Sequence, residues 1–350
     1  MKWLSDRVVD RLQVSLQLPD FSGTRYRAVR YLGRGGMGTV WLAEDTVLNR
    51  QVALKVLDPA NDSGELAPRL LREARVLACL EHPGIVPVHD AGTLSDGRAF
   101  YCMKYVEGQT LDRYVRNSLL PERLNLVQRI AEPLAFAHSK GILHRDLKPQ
   151  NVMIGSFGEV LVMDWGVAKV KEAVRPEAGT EAQGDGLSTP AGGLLETPAT
   201  AGKMPALLGG LSETAHGRIL GTPGYMSPEQ ARGDADSIDE RTDIFSLGAI
   251  LAFMLAGVGR QEESRPSEPV PRPLRAICAK AMAPDPTARY ASVRELSSNV
   301  AKYLGGLPVT AYPEGVFERA SRVFARHRVA IGLVGAYLLM RLLFILFSRP

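Results

Sequence analysis

The sequence predicts an α+β protein with two lobes, a small β-rich lobe followed by a larger α-helical one. Residues 26–57 form short runs rich in β-branched and aromatic residues, separated by Gly or Asn turns, which is typical of neighbouring strands. Helical periodicity dominates from Leu111 onward, notably over 122–140 and 241–257. The β-rich part also contains a helical segment and further strand-like runs, at 66–81, 85–92 and 99–106. This order indicates an α+β architecture whose lobes join near 106–108.

The composition is that of a cytosolic folded domain. Of the 350 residues, 45% are apolar, which is enough for a sizeable core. The net charge is only +4, and no nucleic-acid partner is expected, because such a partner requires a concentrated basic patch. Cys79, Cys102 and Cys278 show no close pair and no metal-ligand spacing, so we expect reduced thiols.

Two segments stand apart from the folded domain. Residues 172–217 are rich in Ala, Gly, Thr, Pro and Glu without periodicity, so we expect a disordered insertion. Residues 329–347 are apolar except for Arg341 and have the length of a membrane span. The resulting division is a lead-in over 1–25, a folded domain over 26–305 with lobes at 26–106 and 107–305, a basic juxtamembrane linker over 306–328, and a transmembrane helix over 329–347.

The tail predicts a single-pass membrane protein whose folded domain faces the cytosol. Four arginines precede the apolar run, namely Arg319, Arg322, Arg326 and Arg328. Positive side chains stay on the cytosolic side of a span. Arg341 opposes insertion by on the order of 3 kcal/mol, although its long side chain can reach toward the interface. The alternative is a helix that lies on the membrane or docks on the folded domain.

A glycine-rich loop, G-x-G-x-x-G-x-V, occupies residues 33–40 between two strand-like runs. Such a loop lets backbone N–H groups approach phosphate without interference from side chains. The alternative is a glycine turn in an ordinary hairpin. The loop also resembles a dinucleotide-binding fingerprint, but that fingerprint requires a helix directly after the glycines, and a strand pattern follows here.

Lys55 lies on a strand-like run among apolar neighbours. A lysine in that position is costly to bury unless an anion pairs with it. A nucleotide phosphate and a carboxylate would both serve, and Glu73 in the helical segment is the candidate carboxylate.

The most specific motif is H-R-D-L-K-P-Q-N over 144–151, followed by D-W-G over 164–166. Asp146 can accept a proton from an attacking hydroxyl group, and Lys148 can neutralise charge on a moving phosphoryl group. Asn151 and Asp164 offer the hard oxygen ligands that Mg²⁺ prefers. These residue types in this order point to phosphoryl transfer.

With these motifs, the sequence resembles the eukaryotic-like serine/threonine protein kinases, most closely the bacterial membrane-linked ones, over roughly residues 26–305. The resemblance implies a two-lobed protein kinase fold that transfers the γ-phosphoryl group of ATP to Ser or Thr of protein substrates and of itself. It implies Mg²⁺ as cofactor, with Mn²⁺ as a substitute. A homodimer that phosphorylates itself in trans is a further expectation.

The resemblance also assigns roles residue by residue. Asp146 is the catalytic base, Lys148 contacts the γ-phosphate, and Lys55 holds the α- and β-phosphates while it pairs with Glu73. The nucleotide site is implied at Leu32, Gly33, Arg34, Gly35, Gly36, Gly38, Val40, Ala53, Lys55, Met103, Lys104, Val106 and Met153, and the metal site at Asn151 and Asp164. Met103 corresponds to the gatekeeper, and Lys104 and Val106 to the hinge.

The motif G-T-P-G-Y-M-S-P-E over 221–229 resembles the end of an activation segment that docks a polypeptide, of the serine/threonine class. The resemblance implies that the Thr222 hydroxyl contacts Asp146 and Lys148. It also implies a buried ion pair between Glu229 and Arg289, and that Asp243 braces the catalytic loop.

The chain departs from the family pattern at three places. Trp165 replaces the usual Phe, and the 172–217 insertion lengthens the activation segment. Residues 259–273 are too few and too rich in proline for the usual helix, which leaves substrate recruitment open. Arg145 is implied to pair with a phosphorylated residue of the segment. The candidates are Thr214 and Ser212, then Ser188, Thr189, Thr197 and Thr200.

Two other functions fit parts of this pattern. A pseudokinase would bind ATP as a scaffold without transfer, but such proteins commonly lack one of Lys55, Asp146 or Asp164, all of which are present. A small-molecule phosphotransferase would share the fold but has no need of the polypeptide-docking motif at 221–229.

Overall fold

The computed structural model describes residues 18–35, 38–58, 66–165, 169–170, 224–234, 237–256, 270–315, 319 and 328–347. Within these ranges the chain forms the two predicted lobes, so the α+β prediction is confirmed. The predicted insertion at 172–217 lies outside the described residues, as does most of the 259–273 segment.

The amino-terminal lobe is an antiparallel sheet with one helix packed on it. Its elements are β1 Tyr26–Arg34, β2 Gly38–Asp45, β3 Arg50–Leu57, α1 Leu66–Cys79, β4 Val88–Thr93 and β5 Ala99–Lys104. The strand order is β1-β2-β3-β5-β4. In α1, the buried Leu70, Ala74 and Leu77 recur at helical spacing and face the sheet side of the lobe. Glu73, the candidate partner of Lys55, is also buried on this helix.

The carboxy-terminal lobe is mainly helical, with short strands near the first lobe. Its elements are β6 Gly108–Thr110, α2 Leu111–Tyr114, α3 Leu120–Ser139, β7 Ile142–Leu143, β8 Val152–Gly155, β9 Val160–Val162, β10 Lys169–Val170, α4 Pro228–Ala231, α5 Glu240–Leu255, α6 Arg272–Ala281, α7 Val293–Leu304 and α8 Arg328–Phe347. Strands β6, β8 and β9 form one small sheet, and β7 pairs with β10. The loop between β7 and β8 carries the H-R-D motif.

Helix α5 forms the centre of this lobe. Its completely buried apolar side chains are Ile244, Leu247, Ile250, Leu251 and Met254. They cover more than one face of the helix, which is the pattern of a helix enclosed by others. It packs against α3, α6 and α7. A buried central helix gives the loop above it a rigid base.

The lobes are also joined through the backbone. Ile85 pairs with Val162 of β9, and Val162 N–H donates to the Gly84 carbonyl at 2.8 Å. The strand expected over 85–92 therefore begins only at β4. Pro87 accounts for the difference, because proline has no N–H to donate to a ladder; its carbonyl instead accepts from Lys104 N–H at 3.1 Å.

The last helix, α8, coincides with the apolar tail. Its exposed apolar side chains include Leu333, Val334, Tyr337, Leu338, Leu339, Met340 and Phe344. Among the residues that the structure describes, no helix satisfies the length and apolarity required of a membrane span. The transmembrane helix over 329–347 therefore stays a prediction.

A buried ion pair fastens α4 to the segment that follows α6. Arg289 Nη1 and Nη2 donate to the two carboxylate oxygens of Glu229 at 2.7 and 2.8 Å. The Thr242 hydroxyl donates to the same carboxylate at 3.0 Å. Burial opposes ionisation, but the hydrogen bonds from Arg289 outweigh it and lower the pKa of Glu229 below its usual value. Both charges are buried and face each other directly, so neither can be removed without cost.

We expect Arg289→Ala to lower the free energy of unfolding by about 3–5 kcal/mol, because Glu229 is left buried without a counter-charge. The measurement is urea denaturation of the full chain at neutral pH. The difference from the wild type should shrink at acid pH. Because the folded pKa of Glu229 is depressed, the stabilisation is present above its unfolded pKa and lost as the pH falls through the folded pKa.

The matched control is Arg27→Ala. Arg27 pairs with Glu44 on the surface, with 73% of its side chain exposed. Such a pair contributes at most about 1 kcal/mol. An equal loss of unfolding free energy in Arg27→Ala and Arg289→Ala would show that the buried pair contributes no more than a surface pair.

Candidate active site

A cleft of about 680 Å³ separates the two lobes. The predicted nucleotide-site residues that line it are Leu32, Gly33, Arg34, Gly35, Val40, Ala53, Lys55, Met103, Lys104, Val106 and Met153. Lys148, Asn151 and Asp164 line it as well. Gly36 and Thr222 lie outside the described residues. The structure therefore brings most of the predicted side chains into one cavity. Glu73 and Asp146 do not line it, but they bond to the lining residues Lys55 and Lys148.

The inner part of the cleft is apolar. Met103, Met153 and Met163 pack against the buried Val106 and its neighbours, and Val40 and Ala53 contribute from the sheet. Methionine side chains are flexible and polarisable, which suits contact with a flat aromatic ring. This end of the cleft can accept a planar base.

The residues on either side of the glycine-rich turn, Gly35 and Gly38, are held close to each other and to the sheet. Gly35 N–H donates to the Gly38 carbonyl at 2.8 Å. A Cβ atom on Gly38 would lie 2.1 Å from the Val56 carbonyl of β3, so no other residue fits there without displacing the strand. Gly38 does not line the cleft. Its role is the close approach of β2 to β3, which places the turn over the cavity.

Lys55 is the most buried cation of the cleft, and two carboxylates surround it. Its Nζ lies 2.8 Å from both oxygens of Glu73 and 3.0 Å from Oδ1 of Asp164. Burial alone would lower the pKa of Lys55, but Tyr101, Glu73 and Asp164 raise it well above its usual value. The lysine is therefore cationic at neutral pH and held where an anionic ligand would meet it.

The carboxylates respond differently to the same surroundings. Burial raises the pKa of Glu73, although Lys55 opposes the shift. For Asp164, burial acts in the same direction, but Lys55 outweighs it and lowers the pKa. The Asp164 side chain is 38% exposed, whereas that of Glu73 is fully buried. Asp164 is thus the carboxylate that faces the open cleft.

The H-R-D loop assembles a second polar cluster. Lys148 Nζ donates to Oδ2 of Asp146 at 2.7 Å. Asn151 Nδ2 donates to the Asp146 carbonyl at 2.8 Å and to Oδ2 at 3.3 Å. The short 3₁₀ turn Pro149–Asn151 directs Asn151 back toward Asp146. A carboxylate, a cation and an amide are therefore held together within six residues of chain.

Asp243 of α5 holds this loop from below. Its Oδ2 and Oδ1 accept the backbone N–H groups of His144 and Arg145, both at 2.9 Å. The His138 ring nitrogen lies 2.7 Å from Oδ2. The bond to Arg145 requires a left-handed backbone with φ of +69°, which a non-glycine residue keeps only when its surroundings hold it. The Gln230 amide adds a bond to the Arg145 carbonyl at 2.6 Å.

Trp165 orients Asp164. The indole is fully buried, lies 4.6 Å from the His144 ring between centroids, and donates from Nε1 to the Val162 carbonyl at 3.4 Å. Asp164 has φ of +62°, so its side chain turns away from the strand direction and toward Lys55. Trp165, which replaces the family's usual Phe, is thus a member of the apolar core.

Asn151 and Asp164 could hold a divalent cation. The Asn151 amide nitrogen is engaged by Asp146, which leaves the amide oxygen for another partner. Within the described part of the chain, no group of three or more His, Cys, Asp or Glu side chains could hold a metal ion. A site with two protein oxygens suits Mg²⁺, which usually completes its shell with phosphates and water.

The sequence reasoning missed one residue of this network. Tyr101 lines the cleft and donates from its hydroxyl to Oε1 of Glu73 at 2.8 Å. A signal was available, because Tyr101 lies two positions before Met103 on the same strand, and alternate strand residues face the same side. The expected role of Arg145 stays a prediction, since residues 188–214 lie outside the described ranges.

The site combines three features of the two-lobed phosphotransferases. These are a glycine turn above the cleft, a buried Lys–Glu pair, and an Asp–Lys–Asn loop below the cleft. The family described as Protein kinase domain matches residues 26–183. Residues 26–183 are therefore similar to a protein kinase domain.

The relatives are bacterial serine/threonine kinases. Serine/threonine-protein kinase PknD of Chlamydia felis is 36% identical over 316 residues, and that of Chlamydia muridarum is 37% identical over 315 residues. Each match covers 81% of this chain but only 31% and 32% of the relative, so the chain spans about a third of their length. The solved PknI kinase domain of Mycobacterium tuberculosis matches with a TM-score of 0.53 and 26% identity, over 81% of this chain and 96% of that chain.

We expect Asp243→Asn to lower the free energy of unfolding by about 2 kcal/mol or more, because an amide nitrogen would replace one of two oxygens that accept buried backbone N–H groups. The same change should speed hydrogen exchange at the His144 and Arg145 amides. The measurements are urea denaturation and amide exchange.

The matched control on the same helix is Asp239→Asn. Asp239 caps α5 by accepting from Arg241 N–H at 2.8 Å. Asn caps helices about as well as Asp, so this variant should unfold like the wild type. Unchanged exchange in Asp243→Asn would show that the loop does not depend on this carboxylate.

Proposed function

We propose that the protein is an ATP-dependent serine/threonine protein kinase that phosphorylates protein substrates and itself. One observation carries the proposal: Lys55, which bonds to Glu73 and Asp164, lines the same cleft as Lys148 and Asn151, which both bond to Asp146. Phosphoryl transfer is mainly positioning and charge stabilisation, and these two clusters are suited to both.

Each side chain has a role that its surroundings suit. Lys55, fixed by Glu73, would hold the α- and β-phosphates of ATP. Asp146 would orient the attacking hydroxyl and accept its proton as the new P–O bond forms and the bond to the β-phosphate oxygen breaks. Lys148, already 2.7 Å from the Asp146 carboxylate, would neutralise charge on the moving phosphoryl group.

Asn151 and Asp164 are the residues proposed to hold Mg²⁺. Their oxygens suit a hard cation, and Mn²⁺ fits the same ligand set. When bound, the ion neutralises charge on the β- and γ-phosphates. The lowered pKa of Asp164 supports the role, because the carboxylate is ionised across the physiological range.

A hydroxyl of Ser or Thr in a polypeptide is the proposed acceptor. Lys148 lies two residues after Asp146, and the motif at 221–229 is of the serine/threonine class. The PknD relatives support the same assignment by name. Phosphorylation in trans within a homodimer rests on the resemblance alone. No observation favours the pseudokinase alternative, since Lys55, Asp146 and Asp164 are all retained.

Asp146→Asn and Lys55→Met should each abolish phosphorylation of a generic basic acceptor protein and of the enzyme itself. Loss of the base alone costs about 10²–10⁴-fold. The measurement is transfer of radiolabel from γ-labelled ATP with Mg²⁺, using the full chain.

Asp146→Asn should keep the fold, since its side chain does not belong to the apolar core. Lys55→Met leaves Glu73 buried without its lysine and should therefore be less stable than the wild type while still folded. Circular dichroism and thermal unfolding provide the control. Near wild-type turnover by a pure, folded Asp146→Asn preparation would refute the assignment of the base.

We also propose that the last helix attaches the protein to a membrane, with the kinase domain in the cytoplasm. The support is the apolar tail with exposed side chains on α8, and the arginines that precede it. A cytoplasmic kinase domain agrees with the need for ATP.

We expect the full chain to remain in the membrane fraction after carbonate extraction, and the variant that lacks 329–350 to become soluble. The apolar run is long enough to cross the hydrocarbon region, and alkaline carbonate removes only peripheral proteins. Release of the full chain would rule out a span and favour a helix that lies on the surface or docks on the kinase domain.

A further inference from the structure

Tyr101 is a buried tyrosine whose hydroxyl meets the centre of the site. It lies on β5 with 1% of its surface exposed. Its hydroxyl donates to Oε1 of Glu73 at 2.8 Å, the same oxygen that accepts from Lys55 at 2.8 Å. Its ring centroid lies 5.7 Å from Lys55 Nζ, which is within the range of a cation–π contact. One side chain therefore contacts both members of the ion pair.

An apolar side chain would fill this position at lower cost. Burying a hydroxyl is unfavourable unless it is hydrogen-bonded, and packing alone needs only the ring. Burial and the adjacent Glu73 carboxylate raise the pKa of Tyr101 well above its usual value, so the phenol stays protonated and remains a donor. The hydroxyl is thus a fixed donor directed at a buried carboxylate.

The Glu73 carboxylate needs more than one donor. It is carried by α1, it is fully buried, and the charged groups that face it are Lys55 from β3 and Asp164 from the loop after β9. Lys55 is shared, because its Nζ also bonds Asp164. Tyr101 comes from a third element and gives Glu73 a bond that Asp164 does not share. It therefore fixes α1 against the sheet independently of the lysine.

We propose that Tyr101 is a positioning residue of the kinase reaction: its hydroxyl fixes Glu73 so that Lys55 meets the ATP phosphates in a defined place. The inference rests on the proposed function and assigns a role that the motifs do not contain. It concerns the hydroxyl and not the ring, and it acts through Glu73. Both points can be tested separately.

The first test compares Tyr101→Phe with the wild type in the full chain. We expect kcat/KM for ATP to fall by about tenfold, as for loss of one hydrogen bond to a charged group, while the KM for the acceptor protein stays unchanged. The protection that ATP with Mg²⁺ gives against thermal unfolding should also weaken. Unchanged values for ATP in both measurements would overturn the proposal.

The matched control is Tyr290→Phe. Tyr290 is fully buried, and within the described part of the chain its hydroxyl has no hydrogen-bond partner. Both variants remove one buried hydroxyl and leave the ring. If Tyr101 only filled space, both variants would keep wild-type kinetics, whereas the proposal requires a loss in Tyr101→Phe alone.

The second test is a double-mutant cycle with Glu73→Gln. If Tyr101 acts through Glu73, adding Tyr101→Phe to Glu73→Gln should change kcat/KM for ATP by less than about twofold, because coupled residues are not additive. Additive losses would overturn the proposed route. A wild type that transfers no phosphate but is stabilised by ATP would refute the function. In that case the same cycle would be measured with the increase in thermal stability that ATP gives to each variant. A wild type that ATP does not stabilise would overturn both.

Discussion

The contact between Lys55 and Glu73 is the interaction on which the arrangement of the site depends. A lysine inside a sheet and a glutamate on the buried side of a helix are each unfavourable alone. Together they satisfy one another across 2.8 Å and fix α1 against β3. Asp164 extends the pair into the second lobe at 3.0 Å. The geometry of the cleft therefore follows from the need to compensate a buried charge.

The second lobe uses the same principle below the catalytic loop. Helix α5 is enclosed by apolar packing, yet it carries the fully buried Asp243. Burial opposes its charge, but the bonds from His138 and from the backbone N–H groups of the loop lower the pKa of Asp243. The carboxylate is stable only while the loop holds its donors in place. Loop conformation and helix burial thus depend on each other.

Much of the site could be predicted because short motifs fix both residue type and spacing. The loop over 144–151 and the glycine turn are local in sequence, so their chemistry could be read directly. The two-lobed order of strands and helices followed from periodicity. The sequence contains many carboxylates that could pair with Lys55. Glu73 was the candidate because it lies in the predicted helix of the β-rich lobe.

The remaining features depend on long-range packing, which periodicity does not encode. Tyr101 and Glu73 are 28 residues apart, and neither local sequence pattern predicts the hydrogen bond between them. The bond between His138 and Asp243 spans 105 residues. The late start of β4 has a different cause. The apolar run begins at Ile85, but Pro87 has no N–H to donate to a ladder, so the strand begins at Val88.

The orientation of Asp164 shows how packing outweighs backbone strain. A non-glycine residue at φ of +62° costs about 1–3 kcal/mol. Trp165, the next residue, is fully buried, and burying a side chain of 150–250 Å² contributes roughly 4–6 kcal/mol. The indole N–H also gains the Val162 carbonyl, a bond that Phe could not make. The burial of Trp165 therefore offsets the strained backbone of its neighbour Asp164, whose bond to Lys55 joins the lobes.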